Sequence, residues 1–109
     1  MYMSIKQGKL SSIEESHTIA DGLSVRKPGE ITFSLVRQFV DNIVLVSDKE
    51  ILDATKQLIT KEHILSEPSG AAALAGLLKT RKESGKNVKS AAIVSGGNIS
   101  SEVLARILR

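Results

Sequence analysis

No cysteine occurs in the chain, which excludes disulfide staples and thiolate metal ligands. Aromatic residues are nearly as scarce: Tyr2, Phe33 and Phe39 are all there are. Any core must therefore be built from Ile, Leu, Val and Ala. No apolar run is long enough to cross a bilayer, and Met1-Tyr2-Met3-Ser4-Ile5-Lys6 lacks the apolar centre of a secretory leader. The expected address is cytoplasmic. Charge of one sign is not in large excess either: 15 basic residues against 12 acidic leave a net +3. The bases are interspersed, apart from a modest group at Lys79, Arg81, Lys82, Lys86 and Lys89. The aromatics lie elsewhere, so the mixed basic and aromatic surface that holds single-stranded nucleic acid is missing. Neither nucleic acid nor membrane is expected as a partner.

What is present is ordinary globular composition, 41% hydrophobic and 25% charged over 109 residues. That length makes one domain at most, and residues 1–109 are expected to form a single unit. Residues 1–10 read as a helix ending near Gly8, and its uncapped, half-amphipathic start suggests a chain that begins inside a larger fold. Ser11 to Thr18 is polar and loop-like, and Lys27-Pro28-Gly29 signals a turn. Between Glu30 and Val40, the residues Leu35, Val36, Phe39 and Val40 share one helical face. Ile43-Val44-Leu45-Val46 suits a strand covered on both sides. Ser47-Asp48-Lys49-Glu50 is a capping-box signature, and the helix after it carries Ile51, Leu52, Thr55, Leu58 and Ile59 on one side. Pro68 fits the first position of a further helix, whose small side chains on all sides imply close packing all round. Ser84-Gly85 ends it.

The stretch Ala91-Ala92-Ile93-Val94-Ser95-Gly96-Gly97-Asn98 reads as a buried strand running into a glycine-rich turn. Ser100 or Ser101 can cap the last helix, with Val103, Leu104, Ile107 and Leu108 at helical spacing. The pattern predicts an α/β fold: a partial open parallel sheet with helical crossovers. Only two strands are convincing, so the sheet needs completing by other sequence, another chain or self-association. At the carboxyl end of such a strand, glycines let main chain approach a ligand and the helix start offers unpaired N–H groups. An ordinary strand-to-helix connection accounts for the same residues.

Residues that stand alone as catalysts are few. His17 and His63 have no partner at ligand spacing and read more simply as surface or loop residues. There is no nucleophile elbow, Walker loop or dinucleotide fingerprint, and no metal site is expected. Asp21 beside Gly22 suits a turn. Glu67 before Pro68 most simply favours the positive end of its helix.

Three segments taken together carry more. Thr18-Ile19-Ala20-Asp21-Gly22, Glu67-Pro68-Ser69-Gly70-Ala71 and Val94-Ser95-Gly96-Gly97-Asn98 occur in an order and spacing that resemble the threonine/serine dehydratases. These are pyridoxal-phosphate enzymes of the tryptophan-synthase β-like class (fold type II), which includes serine racemase. The resemblance covers essentially the whole chain. It implies that Ser95 offers its hydroxyl to the pyridine nitrogen of the cofactor. It further implies that Gly22 brings main chain close to the ring, that Glu67 lies beside it, and that Gly96, Gly97 and Asn98 form and brace the turn.

The family's Schiff-base lysine sits in a Ser-x-Lys-x-Arg motif, and its phosphate is cradled by a run of glycines. Neither occurs here, and the only Gly-Gly pair is 96–97. Without them the cofactor lacks its covalent anchor and the main hold on its phosphate. The resemblance thus implies the C-terminal portion of the catalytic domain of an L-threonine/L-serine ammonia-lyase, with no catalytic residue of its own and inactive alone. Its expected partners are an N-terminal complement, or further copies, and a small amino-acid substrate. The alternative is a non-catalytic α/β module that uses the same apolar surfaces for partner binding or self-assembly.

Overall fold

The computed structural model describes residues 1–85 and 88–109. Among them are five α-helices: α1 (Tyr2–Gln7), α2 (Glu30–Phe39), α3 (Asp48–Lys61), α4 (Pro68–Ser84) and α5 (Ser101–Leu108), with a 3₁₀ turn at Asp21–Leu23. Lys86, counted above in the basic group, lies outside the described residues. The chain divides into two compact units, one of residues 1–18 and 22–43, the other of 19–21 and 44–109. No described helix is both long and apolar enough to cross a membrane.

In the first unit α1 ends at Gly8, whose φ of 70° is the left-handed conformation glycine adopts without a Cβ penalty. Its N–H closes the helix on the Ile5 carbonyl. Fully buried Ser4 then pins the following loop: its hydroxyl donates to the Ser11 carbonyl (3.3 Å) and accepts from the Ser11 N–H (3.0 Å). Farther on, Ile13 N–H donates to Arg26 O and the Ser24 hydroxyl to Ser16 O. α2 packs on α1 and buries Phe33, with the Arg37 guanidinium 5.6 Å from its ring centroid. The face expected from sequence is largely uncovered: Val36 is half-buried, while Leu35, Phe39 and Val40 are exposed, as is Ile31.

The second unit holds the main core, Ile51, Ala54 and Leu58 of α3 against Ala71 and Ala75 of α4, with Ala20 packed in. Each large aliphatic side chain buried there stabilises by roughly 1.5–3 kcal/mol. The predicted capping box is present in full: Ser47 N–H donates to Glu50 Oε2 (2.7 Å), and Ser47 Oγ accepts from Glu50 N–H (3.3 Å). Pro68 opens α4 and left-handed Gly85 closes it. Close packing on all sides of α4 does not hold, since Ala73 and Leu78 are exposed while Ala71 and Ala75 are buried with the α3 residues. Small residues let the two helices approach on one face; they do not oblige the other to be covered. α5 also packs on α3 and buries Ile107, and of the two candidate caps Ser100 serves: its hydroxyl accepts from Val103 N–H (3.3 Å).

The expected parallel sheet is not formed among the described residues, where no strand occurs. Residues 43–46 and 91–95 lack the ladder of N–H and C=O partners that defines one. Each touches the core on one side only, through Val46 and Val94, while Leu45 and Ile93 are 55% and 79% exposed. From 91 to 96 burial still alternates: Ala92, Val94 and Gly96 are half-buried, and Ala91, Ile93 and Ser95 are exposed. That period of two is the burial pattern of a segment with one face covered, without the hydrogen-bonded neighbour a strand needs.

Candidate functional site

The start of α4 and the turn after residue 94 meet in the second unit. Glu67 is the residue before the first turn of α4, in extended conformation, and its side chain makes no capping bond. The main chain of the two segments is joined instead: Glu67 N–H donates to the Gly96 carbonyl at 3.1 Å. Ser66, fully buried, sets its hydroxyl 3.2 Å from that same carbonyl and 2.9 Å from Glu67 O, so one proton bridges the two acceptors.

Backbone leaves no room for a Cβ at Gly70 or Gly97, while at Gly96 the obstacle is the end of a side chain. A Cβ on Gly70 would overlap the Gly96 carbonyl oxygen and lie 2.8 Å from the Gly96 nitrogen. One on Gly96 would overlap the Glu67 carboxylate, and one on Gly97 would sit 2.8 Å from Leu65 O. Glu67, read from spacing as favouring the helix start and from the resemblance as lying beside the ring, lays its carboxylate along the bare Gly96 backbone. Beyond the turn, Ile99 N–H donates to Gly97 O at 3.0 Å, tightening the chain around Asn98. Hydrogen bonds from its own main-chain N–H and from the Ser100 and Ser101 hydroxyls hold the Glu102 carboxyl below its usual range.

Of the residues singled out from sequence, Glu67, Gly96 and Gly97 are thus brought together. Ser95 and Asn98 flank them and are exposed. Gly22 belongs to the first unit, where with Leu23, Val25 and Pro28 it lines a hollow of about 410 Å³. His17 is exposed and pairs with Glu15 at 3.0 Å, and His63 is exposed as well. Sequence reasoning missed Ser66 and did not give Gly70 a role. A glycine in the first turn of a helix, where Ala would propagate better, was the available signal.

Ser95, expected from the resemblance to meet the cofactor, lies at the surface. Its hydroxyl is exposed and takes part in no hydrogen bond among the described residues, and bare main chain follows it. A hydroxyl donor beside two glycines suits a flat ring carrying an acceptor nitrogen, so the residues fit the pyridine edge of pyridoxal phosphate.

Comparison with known proteins gives the family. The family model described as pyridoxal-phosphate dependent enzyme matches residues 1–96. An L-threonine ammonia-lyase of Thermotoga maritima is 38% identical over 108 residues, covering 99% of this chain and 26% of that protein. A serine racemase of Schizosaccharomyces pombe is 36% identical over 105 residues, covering 96% and 32%. The solved structure of a processed threonine deaminase isoform 2 from Solanum lycopersicum superposes with a TM-score of 0.91 at 31% identity, covering 96% of this chain and 31% of that one. The chain spans about a quarter to a third of the length of these relatives. With the family model matched over nearly all its length, the chain belongs to the pyridoxal-phosphate dependent enzyme family.

Proposed function

We propose that this chain is the C-terminal portion of the catalytic domain of an L-threonine/L-serine ammonia-lyase and forms one wall of its active-site cleft. The observation that carries the reading is the exposed Ser95 hydroxyl, without a hydrogen bond among the described residues, on a glycine turn seated against Glu67 and Gly70. Net chemistry would convert L-threonine to 2-oxobutanoate and ammonia, or L-serine to the shorter 2-oxo acid. Bound pyridoxal phosphate supplies the electron-accepting ring that makes loss of the α-proton and the β-hydroxyl feasible.

The residues of this chain orient and tune that ring. Ser95 donates a hydrogen bond to the pyridine nitrogen without handing over its proton, since a hydroxyl is far too weak an acid to do so. A carboxylate at the same place would keep the nitrogen protonated and the ring more electron-withdrawing. Gly96 and Gly97 keep side chains out of the ring's edge, Asn98 braces the turn, and Glu67 lies beside it.

The lysine motif and phosphate cradle are to come from an N-terminal complement, so the chain alone is not catalytic. Apolar surface left uncovered supports such completion: Ile31 and Phe39 are 79% and 69% exposed, and Leu45 and Ile93 face solvent on would-be strands. With further strands laid against residues 43–46 and 91–95, the parallel sheet of the fold type II enzymes would form.

The test mixes this chain with a polypeptide carrying Ser-x-Lys-x-Arg and the glycine-rich loop of a relative, together with pyridoxal phosphate. Formation of 2-oxobutanoate from L-threonine by the mixture, and by neither component, is expected. Failure of two folded components to associate or to form product overturns the reading.

A further inference from the structure

We infer that Ser66 and Gly70 are positioning residues that set the direction of the Ser95 hydroxyl by fixing the Gly96–Gly97 peptide. The inference rests on the proposed role of Ser95. A single hydrogen bond to a carbonyl leaves a glycine peptide free to rock about its flanking φ and ψ, because glycine has no Cβ to resist. Here the Gly96 carbonyl meets two donors, the Glu67 N–H at 3.1 Å and the Ser66 hydroxyl at 3.2 Å. A carbonyl oxygen has two lone pairs, and the second takes its share of the Ser66 proton bridged to Glu67 O, which restrains the peptide plane.

Gly70 completes the seat. The Gly96 main chain lies where any Cβ on Gly70 would be, so the turn rests directly on the first turn of α4. The obstacle facing a Gly70 side chain is backbone, which must move as a whole. The obstacle facing a Gly96 side chain is the end of Glu67, which can swing away. Ser66 is fully buried and bonded to the Gly96 carbonyl, so it acts through Gly96 and not on a ligand.

The experiment uses the complex of this chain with its catalytic-domain complement and pyridoxal phosphate. Two readings are taken: amide hydrogen exchange at Glu67, and the pH titration of cofactor absorbance. Replacing Ser66 by Ala is expected to speed Glu67 exchange about tenfold, as for loss of one buried hydrogen bond. Amides of Ile51 to Leu58 should keep their wild-type rates, and the cofactor titration should shift. Gly70→Ala should shift it farther than Gly96→Ala.

Unchanged exchange, or faster exchange with an unshifted titration, overturns the inference. If Ser66→Ala fails to fold, Ser66→Cys, nearly isosteric but a weak donor, is read by the same criteria. Ser95→Ala separates the two claims. An unshifted titration in that variant removes the Ser95 reading itself, whereas a shift there with none for Ser66→Ala removes only the positioning role.

Discussion

His63 holds a left-handed backbone, φ 56°, where α3 gives way to the segment leading into Ser66. Ile64 N–H reaches back to Leu58 O at 2.9 Å, so the helix end is closed by a turn that a glycine would enter without strain. A side chain in this conformation costs roughly 1–2 kcal/mol, partly offset in a glycine variant by its looser unfolded chain. His63→Gly is therefore expected to stabilise the chain by about 0.5–1 kcal/mol, read as a higher urea midpoint. A lower midpoint would mean that the imidazole contributes more than the backbone strain removes. Legibility at this scale follows range along the chain. Gly8 and Gly85 announce themselves because a helix end is a local event. Ser66 did not, because what it binds lies far along the sequence at Gly96.

At the scale of the element, helices were readable and strands were not. A helix satisfies its own N–H and C=O groups, so Ser47, Pro68 and Ser100 mark starts that hold whatever surrounds them. A strand needs a neighbour, and residues 43–46 have the β-branched composition for one without a partner beside them. The Ser47 capping box shows what local chemistry contributes. Ser47→Ala is expected to cost about 1 kcal/mol, measured by urea denaturation.

The same box has a pH signature. Hydrogen bonds from the Ser47 main chain and hydroxyl, aided by Lys79 3.3 Å away, hold the Glu50 carboxyl below its ordinary 4.5. A lowered folded value means the ionised form is the one stabilised. The contribution is present above 4.5 and is lost as pH falls through the lower folded value. Glu50→Gln, which keeps the cap but cannot titrate, should flatten this part of the acid limb. An acid limb unchanged in that variant would assign the loss to other carboxylates. Lys79 also donates to Leu45 O at 2.9 Å, tying α4 to the would-be strand at the foot of α3.

At the scale of the whole molecule, the family was legible while the sheet was not, for one reason. The motif residues 67–71 and 94–98 carry their chemistry in their identities, so their order along the chain suffices. Completing a sheet requires strands that these residues do not supply to each other. Two compact units with Ile31, Phe39 and Ile93 open to solvent match a chain that spans about a quarter to a third of its relatives.

The central claim is that Ser95 faces the pyridine nitrogen of pyridoxal phosphate once the cleft is complete. Nitrogen NMR of the assembled protein, loaded with cofactor labelled at that nitrogen, tests it most directly. An unprotonated, hydrogen-bonded nitrogen in the parent and a protonated one in Ser95→Asp is the predicted result. The same nitrogen shift in both would contradict it.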